Sequence, residues 1–133
     1  MDEWTSKYGG IVDSHVHMGG IDEEASMQAI RQAAGIERMA LVSIQNPETG
    51  AGLPQSLFMK ARYPGSFYVF AGLDHAEKRF GSRYRTLRLA EQVDACRALG
   101  CDGIKMIEGK PTSRRRMDIP VTATYYAAYW DRA

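Results

Sequence analysis

Short apolar, β-branched runs alternate with helix-forming stretches four times along this chain, and that alternation constrains its fold more than any other feature. The runs fall at Gly10–Val16, Arg38–Ile44, Ser66–Leu73 and Gly103–Ile107. They are too continuous in apolar character for a half-exposed antiparallel sheet, and suit parallel strands covered on both faces. Between them, Glu23–Ala34 places Met27, Ile30 and Ala34 on one helical face and stops at Gly35. Pro54 opens a second helix, Gln55–Tyr63, closed by Pro64-Gly65. A third, Thr86–Leu99, carries Leu89, Val93 and Cys96 on one stripe and ends at Gly100. A fourth is expected over Thr122–Arg132, with Tyr125, Tyr126, Tyr129 and Trp130 forming a face that packs on the sheet. The expectation is an α/β fold built on a parallel sheet.

Loop lengths add a direction. Only Gly35–Glu37, Pro64-Gly65 and Gly100–Asp102 separate a helix from the next strand. After the second, third and fourth strands come the longer segments Gln45–Leu53, Asp74–Arg85 and Glu108–Val121. The elaboration therefore lies on the carboxyl side of the sheet, where α/β barrels and open α/β sheets build their sites.

With 133 residues, 44% of them hydrophobic, the chain reads as one unit over residues 1–133. Four β-α units are half of what closes a (β/α)₈ barrel of about 250 residues. The last helical stretch runs off the chain without a glycine stop. The fold expected is thus the first half of a TIM-barrel-like fold, truncated in its fourth helix. Seventeen basic against sixteen acidic residues leave a net charge of +1, which excludes a general attraction to polyanions. With no aromatic-interleaved basic patch, no nucleic-acid partner is expected. The start Met-Asp-Glu-Trp does not resemble a signal peptide, and no apolar run approaches about 18 residues. No membrane partner is expected, and the cytoplasm is the expected compartment. Cys96 and Cys101 make no disulfide framework and read as small packing residues.

Chemistry concentrates at the end of the first strand. In Gly10-Ile-Val-Asp-Ser-His-Val-His-Met-Gly19, strand alternation presents His15 and His17 to the same side. Imidazole nitrogen is a favoured ligand of zinc and similar divalent metals, and two of the three histidines are spent here. Asp13 shares the parity of His15 and is either an outer-shell orienter of a metal-bound imidazole or a cap. Lys105 lies in a buried strand, where a lysine needs a reason. Glu108, at that strand's mouth, is a ligand, an acid/base group or a solvated loop carboxylate. His75, after Asp74, reads first as a loop or core-edge histidine and second as a ligand, since it faces the same rim. Asn46 beside Pro47 reads first as a turn residue and second as pocket lining. Arg79, Arg83, Arg85 and Arg88 form one basic cluster and Arg114-Arg115-Arg116 another. Both read first as solvated charge runs, and second as grips for a substrate carboxylate or phosphate.

Val12-Asp-Ser-His-Val-His-Met18 resembles the first-strand metal motif of the amidohydrolase superfamily. Gly35-Ile-Glu-Arg-Met-Ala-Leu-Val42, Phe67-Tyr-Val-Phe-Ala-Gly-Leu-Asp74 and Gly100-Cys-Asp-Gly-Ile-Lys-Met106 are similar to its second, third and fourth strands. The subgroup most resembled is the amidohydrolase-related branch of aminocarboxymuconate-semialdehyde-decarboxylase-like enzymes, in its N-terminal half. The resemblance implies a distorted (β/α)₈ barrel holding one or two divalent metals, zinc first among them, with His15 and His17 as two of the ligands. It implies further ligands from strands five, six and eight. Some superfamily members carry a carboxylated lysine at the position of Lys105. In this subgroup the fourth strand runs Gly-Ile-Lys-apolar-His-Pro, and here Met106-Ile107-Glu108 replaces its end. Lys105 and Glu108 are the catalytic candidates.

The function expected is a portion of a metal-dependent hydrolase or decarboxylase acting on a small carboxylated or cyclic organic molecule, inactive alone. The alternatives are a phosphoesterase or nuclease portion of the TatD type, and a non-catalytic half-barrel that self-associates as a homodimer through exposed sheet edges.

Overall fold

A computed structural model describes residues 10–46 and 50–133. Four parallel strands, β1 (Ile11–Val16), β2 (Ile36–Val42), β3 (Phe67–Gly72) and β4 (Gly103–Lys105), form one sheet. Their order in the sheet is their order in the chain. The connections carry helices α1 (Glu24–Ala33), α2 (Leu53–Arg62), α3 (Ala76–Phe80) and α4 (Leu89–Ala98). After β4 come α5 (Pro111–Met117) and α6 (Ala127–Trp130). Among the described residues, no helix is long and apolar enough to cross a membrane.

When every crossover steps one strand the same way, crossovers of one hand place their helices on the same face. The register bears this out. Met39 pairs with Phe67, Leu41 with Val69, and Ala71 with Ile104, so these side chains share a face. That face meets Met27 of α1, Met59 of α2 and Cys96 of α4. Leu41, Met59, Val69 and Tyr126 are the largest fully buried side chains. Each such apolar burial stabilises by about 1.5–3 kcal/mol. The opposite face carries Arg38, Tyr68, Phe70 and Lys105, only partly buried, with the buried Ala40 and Val42, and none of the three core clusters includes them. There the Arg38 guanidinium bonds the Tyr68 hydroxyl and lies 5.5 Å from the ring centroid.

Coverage of every strand on both faces is therefore corrected. Ile11 and Val12 of β1 are 43% and 52% exposed, because among the described residues β1 has one neighbour in the sheet and its outer face meets no helix core. Ile30 is likewise exposed, and α1 buries Met27 and Gln28 instead. The Arg31 head bonds Gln28 and the carbonyls of Ile36 and Glu37, which fixes that rotation of the helix. The α4 stripe of Leu89, Val93 and Cys96 is buried as expected, and Gly100 ends the helix at φ +89°. The thiols pack rather than pair: both cysteines are free, and burial pushes Cys96 up and Cys101 up to about 11.

The expected fourth helix is shorter. A 3₁₀ turn at Thr124–Tyr126 leads into the four-residue α6. Tyr126 and Tyr129 pack on Leu73, Leu89 and Val93, while Tyr125 turns to His75 with part of its ring exposed and Trp130 is half exposed. Trp130 Nε1 donates to the Val121 carbonyl, and Arg132 holds Asp94 of α4 through two bonds of 2.6 and 2.9 Å. Asp102 ties the chain between α4 and β4 to its neighbours. Its carboxylate accepts from the Val69 backbone at 2.8 Å and from Lys60 of α2.

Two substitutions, one in α2 and one in α1, separate a helix position buried on the sheet from an exposed one. Met59→Ala is expected to cost about 2–5 kcal/mol in urea unfolding, and Ile30→Ala less than about 0.5 kcal/mol. Equal losses would contradict the assignment of faces. Tyr126→Phe is a finer check, since the buried Tyr126 hydroxyl has no hydrogen-bond partner among the described residues. Removing it should leave stability unchanged or raise it by up to about 1 kcal/mol.

Candidate functional site at the carboxyl rim

Three segments that follow strands converge on one cavity of about 470 Å³. They are Ile44-Gln45 after β2, Leu73–Phe80 after β3, and residues 107–117 after β4. Gly72 allows the approach of the first to the second: a Cβ there would lie 2.9 Å from the Ser43 carbonyl and 3.0 Å from the Gln45 amide nitrogen. All three segments lie within or beside the long carboxyl-side loops read from the sequence. Those loops also hold structure of their own, namely α3, α5 and a short antiparallel ladder of Gln45–Asn46 with Gly50–Ala51. The Asn46 side chain and Pro47 lie outside the described residues.

The cavity wall contains a buried ionisable pair. His75 Nε2 lies 2.6 Å from Glu108 Oε1, with the two side chains only 5% and 3% exposed. The contact has ion-pair distance without the alignment of a hydrogen bond, and Glu108 Oε2 has no partner. On its other side His75 Nδ1 is 3.0 Å from the Tyr125 hydroxyl. Burial first, then the charge of Glu108, pushes the Tyr125 phenol above its ordinary pKa. His75 is held by its neighbours. Gln92, itself buried, accepts from the Asp74 amide at 2.7 Å and donates to the Asp74 and Leu87 carbonyls. The Asp74 carboxylate accepts from Ala76 N at 2.8 Å, turning the chain into α3. From α3 and α5, Arg79 and Arg116 reach the same cavity. Neither makes an ion pair among the described residues. One arginine from each sequence cluster thus arrives at one place.

His15 and His17 stand apart from that cavity but close to each other. Their Nε2 atoms are 3.1 Å apart, with ring centroids at 5.0 Å and planes at 66°. Two imidazoles on one tetrahedral zinc, at about 2.0–2.1 Å from the ion, place their nitrogens about 3.3 Å apart. The pair is thus set at nearly the spacing that a shared ion requires. Lys105 is the first cause of a lowered His15 pKa, followed by burial, His17 and Lys110, with Asp13 opposing. His15 is therefore held toward its neutral, ligating form.

The parity expected of Asp13 is corrected. Between Asp13 and Val16 the β1 register slips: Asp13 pairs with Met39 and Val16 with Leu41, three residues against two. That bulge breaks the alternation, and the Asp13 carboxylate accepts from the His15 backbone at 3.1 Å, not from an imidazole. Among the described residues, no group of three or more His, Cys, Asp or Glu is placed to hold a metal. Glu108 is not beside the histidine pair; its neighbour is His75, which the sequence reading set aside as a core-edge residue. Both descriptions of His75 apply, since it is 7% exposed and lines the cavity.

A histidine with a depressed folded pKa charges first in the unfolded chain. His15 therefore subtracts from stability as pH falls from about 6.5 through its folded pKa, and contributes nothing above that window. Lys105→Met should move the His15 titration upward, as followed by its ring proton resonances. An unchanged titration would contradict the placement of Lys105 beside it.

Protein-family models, curated proteins and solved structures were all compared with the chain, and none matches.

Proposed function

We propose that this chain supplies the metal-seating part of a metal-dependent hydrolase or decarboxylase, built as the first half of a (β/α)₈ barrel and acting on a small carboxylated or cyclic organic molecule. The observation that carries the reading is the 3.1 Å approach of the His15 and His17 nitrogens at the carboxyl end of β1. A chain-ordered parallel sheet with helices packed on one face supports it, since successive strands of a barrel have that arrangement. The donor set fits a divalent metal of the zinc type in kind and spacing, and it is incomplete in number. Catalytic zinc keeps three protein ligands, and His15 and His17 are two.

A divalent metal supplies Lewis acidity to a substrate oxygen. The chain's own residues divide the remaining work. His15 and His17 hold the ion. Lys105, on the face away from the core, disfavours the charged form of His15 and presents a cation to a substrate carboxylate. Glu108, paired with His75 at the separate cavity, takes no step at the ion. A chain with two protein ligands is inactive alone until further ligands are supplied.

A second reading has its own observation. Ile11 and Val12 are exposed on a strand with one sheet neighbour, which favours a self-associated half-barrel with that edge paired to a second copy.

Zinc titration of the full chain against a chromophoric chelator tests the first reading. About one ion per chain is expected, held more weakly than a three-ligand site, with His15→Ala and His17→Ala each reducing affinity about tenfold or more. Binding indifferent to both substitutions would overturn it. Sedimentation tests the second reading: a monomer at about 100 μM would exclude a stable homodimer.

A further inference from the structure

The histidine pair leaves the cavity between α3, α5 and the carboxyl ends of β2 and β3 unexplained. Its volume of about 470 Å³ lies in the range of small-molecule sites, about 300–1,000 Å³. Two features give it a chemical preference. The first is Glu108, 2% exposed and among the lining residues, whose buried Oε2 has no hydrogen-bond partner among the described residues. A buried carboxylate oxygen demands a donor, and His75 is already committed to the other oxygen. The second is the pair Arg79 and Arg116, two guanidinium groups lining the same cavity without a carboxylate partner among the described residues. Guanidinium groups prefer planar oxyanions.

A ligand that satisfies both features carries a carboxylate for the arginines and, near it, a hydroxyl or ammonium donor for Glu108. A plain anion satisfies only the arginines and faces the Glu108 charge. A plain cation satisfies only Glu108 and faces the arginines. We infer that this cavity is a binding site for a short 2-hydroxy- or 2-amino-carboxylate, oriented with its carboxylate toward Arg79 and Arg116 and its donor toward Glu108 Oε2. Ser113, half-buried on the wall, is a further polar contact. The site does not depend on the metal reading, because His15 and His17 do not line it.

Three probes with one carbon skeleton make the test: L-malate with a hydroxyl, L-aspartate with an ammonium, and succinate with neither. They are titrated into the full chain in the presence of a chelator and followed by amide resonances. Malate or aspartate is expected to bind at least about tenfold more tightly than succinate, with the largest shifts at residues 74–80 and 107–117. Which of the two binds better identifies the donor. Arg79→Gln, an exposed change that leaves the core untouched, should weaken the preferred probe about tenfold. Glu108→Gln should remove the preference over succinate; if that variant does not fold, the Arg79→Gln and probe comparisons decide alone. Succinate binding as tightly as both others, or no binding of any probe at about 10 mM, would overturn the inference.

Discussion

A parallel sheet wound in chain order has to bury its helix-bearing face, and every other feature of this molecule follows from how it does so. Met39, Leu41, Phe67, Val69 and Ala71 share that face and are buried under α1, α2 and α4. The burial uses the apolar parity of each strand. What remains is the other parity, with Arg38, Tyr68, Phe70 and Lys105, and the rim where the strands end. Polar and ionisable groups collect there because burying them in the helix face would leave them without partners.

The rim is not merely solvated. His75 and Glu108 sit inside it at 7% and 2% exposure. Two ionisable groups withdrawn from water are costly to keep, and a buried pair is weak evidence for stability on its own. Here the surroundings hold the imaginable losses down: Gln92 fixes the Asp74 backbone, Asp74 turns α3, and Tyr125 takes the second imidazole nitrogen. Such investment at the mouth of a cavity is the pattern of a site more than of a core. The histidine pair at the end of β1 is the opposite case, exposed and close together, with a neighbouring lysine that disfavours the charged form of His15.

Much of this was legible in the chain. Gly35 and Gly100 end α1 and α4 where the stops were read, and the long loops after the second, third and fourth strands do line the cavity. His15 and His17 do come together, but not through strand alternation alone, since the bulge spans His15 and His17 lies beyond the end of β1. Other features depended on contacts that no local pattern encodes. Ile30 has the right period for burial, but the bonds of Arg31 to the β2 backbone set the rotation of α1 and leave it outside. Asp13 lost its parity to a bulge whose cause lies in pairing with β2. The partnership of His75 with Glu108 joins residues 33 positions apart across two loops. The only sequence signal for it was that both follow strands on the same rim.

The central claim is that the helix-bearing face of the sheet is core, while on the other face Ala40 and Val42 are buried but Tyr68 and Phe70 stay partly exposed. Hydroxyl-radical footprinting of the full chain in solution tests it most directly, because aromatic and sulfur side chains report their own exposure. The account predicts oxidation at Tyr68 and Phe70 with protection of Met39, Met59 and Tyr126. Protection of Tyr68 and Phe70 to the level of Tyr126 would contradict it, by showing both faces of the sheet to be covered.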